Sequence, residues 1–135
     1  MRQLSKHELQ NLERNLTRLT EAQLRALDEQ LGTAVEVKQK ENCQEKFMDF
    51  VHKVWPDFID GAHHSEMAEA FERVANGEIK RLIINMPPRH TKSEFASYLL
   101  PAWFLGKYPK KKVIQTSHTA ELAVGFGRKV RNLVD

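Results

Sequence analysis

The residues best suited to chemistry in this 135-residue chain lie in one short stretch, Asn85-Met86-Pro87-Pro88-Arg89-His90-Thr91-Lys92-Ser93-Glu94. Lys92 followed by Ser93 is the ending of a phosphate-binding loop of the pattern G-x-x-x-x-G-K-[ST]. In such a loop, backbone N–H groups converge on phosphates at the positive end of the next helix. The lysine neutralises the outer phosphates, and the hydroxyl ligates Mg²⁺. Here Met86 and Thr91 stand at the two glycine positions, and Pro87 and Pro88 carry no N–H. The donors must come from later in the loop, and Thr91 has to adopt a backbone conformation that glycine reaches more cheaply. Arg89 offers a rigid guanidinium fork to a phosphate; the alternative is a surface arginine paired with Glu94.

Other reactive side chains carry less. His90 and His118 have no metal-ligand spacing and read as loop residues. Cys43 has no second cysteine to pair with and reads as a bystander in a reducing cytoplasm. A hydrophobic share of 41% beside 29% charged residues is ordinary for a globular protein, so neither a disordered nor a membrane-spanning class is expected. The start "MRQLSKHELQNLERNL" lacks the apolar core of an export signal. Net charge is only +3, but basic residues gather late, at Lys107, Lys110, Lys111, Lys112, Arg128, Lys129 and Arg131. "KYPKKK" is open to two readings, a solvated loop beside an edge strand or a patch that faces phosphates.

The elements that must position the loop follow from periodicity. Ser5…Glu8 and Thr20…Gln23 have capping-box spacing, which predicts two short helices with leucine faces: Leu9, Leu12, Leu16 and Leu19, then Leu24, Leu27 and Leu31, with Gly32 as stop. A linker follows and becomes helical near Asn42, with Phe47, Phe50, Val51, Val54 and Trp55 as its stripe and Pro56 as its end. Ser65 is the expected N-cap of a helix through Phe71 and Val74 that stops at Gly77. Then come an expected strand at 81–85, a helix at 93–106 with a Phe95, Leu99, Leu100, Trp103 stripe, a strand at 112–117 and a helix at 119–134. Strand, loop, helix, strand and helix imply an α/β fold with a parallel sheet, buried on both faces.

The stretch "RLIINMPPRHTKSEFASYLLPAWFLGKYPKKKVIQTSHTAELAVGFGRKVRNLVD" resembles the start of the ATPase domain of the large terminase subunit of tailed bacteriophages. That family's Walker A loop commonly reads Pro-Pro-Arg-His followed by Gly-Lys-Ser. The match runs over Met86 to Ser93 and continues through Val113 to Asp135, and "GAHHSEMAEAFERVANGEIKR" resembles the lead-in where adenine contacts are usually placed. The resemblance covers residues 45–135. It implies a P-loop fold and a motor that uses ATP and Mg²⁺ to move double-stranded DNA into the procapsid. It also implies a host-cytoplasmic homo-oligomeric ring that works with the small terminase subunit and the portal, with no membrane.

By the same resemblance, Lys92 is the phosphate lysine, Ser93 the Mg²⁺ ligand and Arg89 the catalytic arginine on the γ-phosphate. Pro88, His90 and Thr91 complete the nucleotide loop, and His63 or His64 sits near the adenine or is an exposed histidine ahead of a helix. Thr91 departs from the family's glycine. A P-loop ATPase also needs a strand ending in an acidic pair, and the acidic residues after Lys92 are Glu94, Glu121 and Asp135 alone. Residues 1–40 are therefore expected to be a helical arm and linker. Residues 41–135 are expected to be the N-terminal part of a P-loop ATPase domain, cut before the acidic Walker B strand and inactive alone. The alternatives are a fragment of another P-loop translocase, such as a helicase-like ATPase, and a non-catalytic DNA-binding or assembly piece.

Overall fold

The structure, a computed structural model, describes residues 5–8, 10, 15 and 19–134. The chain divides into two compact units, residues 1–39 and 40–135. In the first, both capping boxes form. Glu8 N–H donates to Ser5 Oγ at 3.3 Å while Glu8 Oε2 accepts from Ser5 N–H at 2.8 Å, and Gln23 and Thr20 repeat the exchange at 3.4 and 3.0 Å. Helix α1, Glu21–Glu45, then runs straight through Gly32. A helix stop at glycine needs a left-handed backbone, which Gly32 does not adopt, and one interior glycine costs a helix only about 1 kcal/mol. The linker expected after Gly32 is therefore helix. Leu24 and Leu31 are exposed rather than packed in a seam, and Leu9, Leu12 and Leu16 lie outside the described residues.

The second unit holds α2 (Phe47–Val54), α3 (Ala62–Ala75), a π-helix (Glu94–Leu99) that runs into α4 (Leu100–Lys107), and α5 (Ala120–Val134). Lys46 offers no side-chain cap to α2. Glu72 on α3 replaces it: one carboxylate oxygen accepts from Phe47 N–H at 3.0 Å and the other pairs with Lys46 Nζ at 3.0 Å. Phe47 is fully buried, with the rings of Phe71, Phe95 and Trp103 edge-on around it at 5.3–5.5 Å. Val51, Met67, Ala68 and Leu99 complete the core, and Trp103 Nε1–H donates to the Cys43 carbonyl at 2.9 Å. Pro56 follows the end of α2, and Gly77, with φ +81°, closes α3. The N-cap of α3 is Gly61, four residues ahead of the expected Ser65.

Pro101 explains the π-helical turn. It has no N–H to donate to the Ser97 carbonyl, and the backbone widens so that Leu100 N–H bonds Phe95 O instead. The freed Ser97 carbonyl accepts from Gln115 Nε2 at 3.0 Å, which fastens the 111–117 segment to the helix.

The α/β expectation, a partial P-loop parallel sheet with flanking helices, is overturned: the described residues form helices and no strand. "LIIN" and "VIQTS" are extended, but no backbone hydrogen bond joins them. Each rests on the helices through one edge only. Ile84 and Met86 pack on the core, whereas Ile83 and Ile114 are 85% and 90% exposed. Apolar content alone does not make a strand where no neighbour supplies the ladder. Among the described residues no helix is long and apolar enough to cross a membrane.

If the Phe47 cluster holds the second unit together, Phe47→Ala should cost about 3–5 kcal/mol in urea unfolding. Leu31→Ala, at an exposed position of α1, should change stability by less than about 0.5 kcal/mol. Equal effects would contradict the assigned core.

Candidate functional site

Pro88, Arg89, His90, Thr91, Lys92 and Ser93 lie together, with Pro87 and Glu94, around an open pocket of about 380 Å³. Arg89 and Thr91 both adopt left-handed backbone, with φ +68° and +55°. Such conformations cost of order 1–3 kcal/mol for a residue other than glycine, and more readily so for a β-branched one. The expectation that Thr91 must take a glycine-like conformation is thus met. Left-handed residues let a short loop turn its amides to one concave side. Pro88 and Arg89 stand in a turn, and the N–H groups of Arg89 and Thr91 donate to no backbone turn or loop acceptor among the described residues. Helical backbone begins at Lys92, and the first N–H groups of a helix have no intrahelical partner. Donors therefore come from the later half of the loop, beyond the two prolines.

The charges follow the same pattern. Arg89 and Lys92 form no ion pair among the described residues. Glu94 does not pair with Arg89. It pairs with Lys129 of α5, whose Nζ lies 3.0 and 3.3 Å from the two carboxylate oxygens and 5.6 Å from the Tyr98 and Phe126 ring centres. The one carboxylate on the pocket wall is thereby neutralised, and the two loop cations stay available to an anion.

His64 holds the loop from below. It is 6% exposed, packed against Phe58 at 4.7 Å and Phe95 at 5.0 Å. Gly61 N–H donates to His64 Nδ1 at 2.9 Å, so the ring carries its proton on Nε2 and donates to Thr91 Oγ1 at 2.7 Å. Thr91 Oγ1–H in turn donates to the His90 carbonyl at 2.7 Å, and His90 Nδ1–H to the Pro88 carbonyl at 3.0 Å. His64 is therefore not the solvent-exposed histidine that one reading allowed. Its signal was present in the sequence: it stands three residues after Gly61, the spacing at which a side chain reaches back to the helix start. His63 lies against His64 with ring centres 3.8 Å apart and planes tilted by 45°, and its Nε2 is buried without a hydrogen-bond partner.

Ser93 is exposed on the pocket wall. Among the described residues no group of three or more His, Cys, Asp or Glu could hold a metal ion. Ser93 therefore fits Mg²⁺ only as one protein oxygen beside phosphate and water, a mode that this ion accepts. Cys43 donates weakly to the Asp49 carbonyl, and burial, with Asp49 nearby, pushes its thiol pKa up, which disfavours the reactive thiolate.

Comparison of the chain with protein-family models, with curated proteins and with solved structures finds no match.

Burial, followed by the neighbouring His63, lowers the His64 pKa below its ordinary 6.5, against the smaller opposing pull of Asp60. Because the folded value is the lower one, this contribution to stability is complete above the unfolded value. It is lost as pH falls from there through the folded value. Protonated His64 would also present Nδ1–H to the Gly61 N–H. Urea unfolding from pH 7.5 to 5.5 should therefore show stability falling more steeply in the wild type than in His64→Gln; parallel curves would contradict this role.

Proposed function

We propose that residues 87–94 bind the polyphosphate of ATP with Mg²⁺, and that the chain is the ATP-binding portion of a viral DNA-packaging motor of the large-terminase kind. The observation that carries the first part is the pairing pattern at the loop. Arg89 and Lys92 flank a concave, left-handed turn with no acidic partner among the described residues, while Glu94 is neutralised by Lys129. Cations left unpaired beside free amides form an anion site in which each group can contribute to the same ligand.

Within this reading, Lys92 places a point charge against the outer phosphates, and the amides after Pro88 donate to their oxygens. The Ser93 hydroxyl would hold Mg²⁺ at one position, and the ion would neutralise phosphate charge. Arg89 follows charge as it spreads over the γ-phosphate, a contribution that belongs to the transition state. Turnover also needs a carboxylate to orient the attacking water, and Glu94, tied to Lys129, does not serve. The chain should therefore bind ATP without hydrolysing it.

The motor reading, with double-stranded DNA, the small terminase subunit, the portal and a homo-oligomeric ring in the host cytoplasm, rests on the sequence resemblance. Another P-loop translocase would share Lys92 and Ser93. The second reading, a non-catalytic DNA-binding or assembly piece, is favoured by the exposed cations Lys110, Lys111, Lys112 and Arg128.

Calorimetric titration with Mg·ATP separates these readings. Lys92→Ala should weaken binding roughly 10- to 150-fold, the equivalent of one charge-assisted hydrogen bond. Arg89→Ala should weaken binding too, but by less than Lys92→Ala, because the larger part of the arginine's contribution belongs to the transition state. Unchanged affinity in Lys92→Ala, with DNA binding lost on replacing Lys110, Lys111 and Lys112, would favour the second reading instead.

A further inference from the structure

We propose that His64 is a positioning residue for the phosphate loop: its bond to Thr91 Oγ1 holds the left-handed backbone that a glycine at this place would adopt unaided. This deepens the reading of residues 87–94 as a phosphate site and rests on it.

Three observations converge. First, Thr91 is strained. A β-branched residue at φ +55° persists only where its surroundings over-determine it. Second, the hydroxyl responsible is fully committed, accepting from His64 Nε2–H and donating to the His90 carbonyl, both at 2.7 Å. The Thr91 carbonyl is also committed, to Phe95 N–H at 2.9 Å. Third, His64 spends both of its nitrogens. A histidine that merely filled the core would need any two partners; this one receives Gly61 N–H on one side and delivers its own proton to the loop on the other. The start of α3 and the phosphate loop are joined through one ring.

The ring itself cannot drift. His63 lies against it with ring centres 3.8 Å apart and planes tilted by 45°, and Phe58 and Phe95 flank it. The threonine hydroxyl thus compensates for the backbone freedom that glycine would bring, and the histidine is its counterpart. Neither is expected to be useful without the other. A glycine at 91 should make His64 dispensable for the loop.

The test is a mutant cycle of wild type, His64→Ala, Thr91→Gly and the double variant, read in two ways. Hydrogen exchange at the Phe95 amide, which donates to the Thr91 carbonyl, reports loop order with no ligand present. Calorimetric titration with magnesium tripolyphosphate reports the anion site. His64→Ala should speed exchange and weaken tripolyphosphate binding by about tenfold or more, as contacting residues in one network do. Adding Thr91→Gly should restore both to within about threefold of Thr91→Gly alone. A double variant as impaired as His64→Ala would overturn the proposal, because it would make His64 a core residue only. Should His64→Ala fail to fold, His64→Gln and His64→Leu replace it. The glutamine amide can still donate to Thr91 and should retain protection; leucine fills the space and should lose it. Identical exchange in those two variants would equally overturn the proposal. If the wild type binds no tripolyphosphate, the phosphate reading fails, while the exchange cycle still decides the role of His64.

Discussion

Phe95 is the residue on which the rest of the second unit depends. Its ring is fully buried, 5.5 Å from Phe47, 5.3 Å from Phe58 and 5.0 Å from His64, and its N–H donates to the Thr91 carbonyl. One residue thereby seats the helix in the core, supports the ring that steadies the loop, and fixes the loop's last peptide. Pro101 adds a second constraint by widening the helix one turn further on and releasing the Ser97 carbonyl to Gln115. The loop is shaped by packing beneath it and by the backbone chemistry of the helix that follows.

Charge is arranged on that frame. α5 delivers Lys129 to Glu94, where the ammonium also lies over Tyr98 and Phe126. Without it, an unpaired carboxylate at the mouth of the pocket would oppose the positive charge of Arg89 and Lys92. The same pairing removes Glu94 as a candidate for handling water. In the proposed reading, anion binding and turnover are separable: the first rests on residues around one pocket, and Glu94, the carboxylate on its wall, is engaged by Lys129.

Features set by a few neighbouring residues were legible in the sequence. Both capping boxes, the stops at Pro56 and Gly77 and the unusual backbone at Thr91 follow from local stereochemistry, and the structure contains them; of the two expected helical stripes, Phe47, Val51, Phe95, Leu99 and Trp103 are buried, whereas Trp55 is exposed. Features that need a distant partner were not. "LIIN" and "VIQTS" have strand composition, yet a ladder requires a neighbour, and Ile83 and Ile114 stand exposed. Gly32 read as a stop because glycine permits one, but the flanking residues keep the helix going. Pro101 was the overlooked mark of the π-helical turn. In the site, Lys92 and Ser93 were visible from their spacing, whereas Lys129 reaches Glu94 from 35 residues away and no local pattern announces it.

The central claim is that the loop from Arg89 to Phe95, and not the basic surface elsewhere, receives the phosphates. Backbone amide NMR of the labelled chain during titration with Mg·ATP tests it most directly. The account predicts saturable shifts concentrated at residues 89–95, with an echo at His64 and little change at residues 110–112 and 128. Shifts confined to those basic positions, with the loop amides unmoved at saturation, would contradict it.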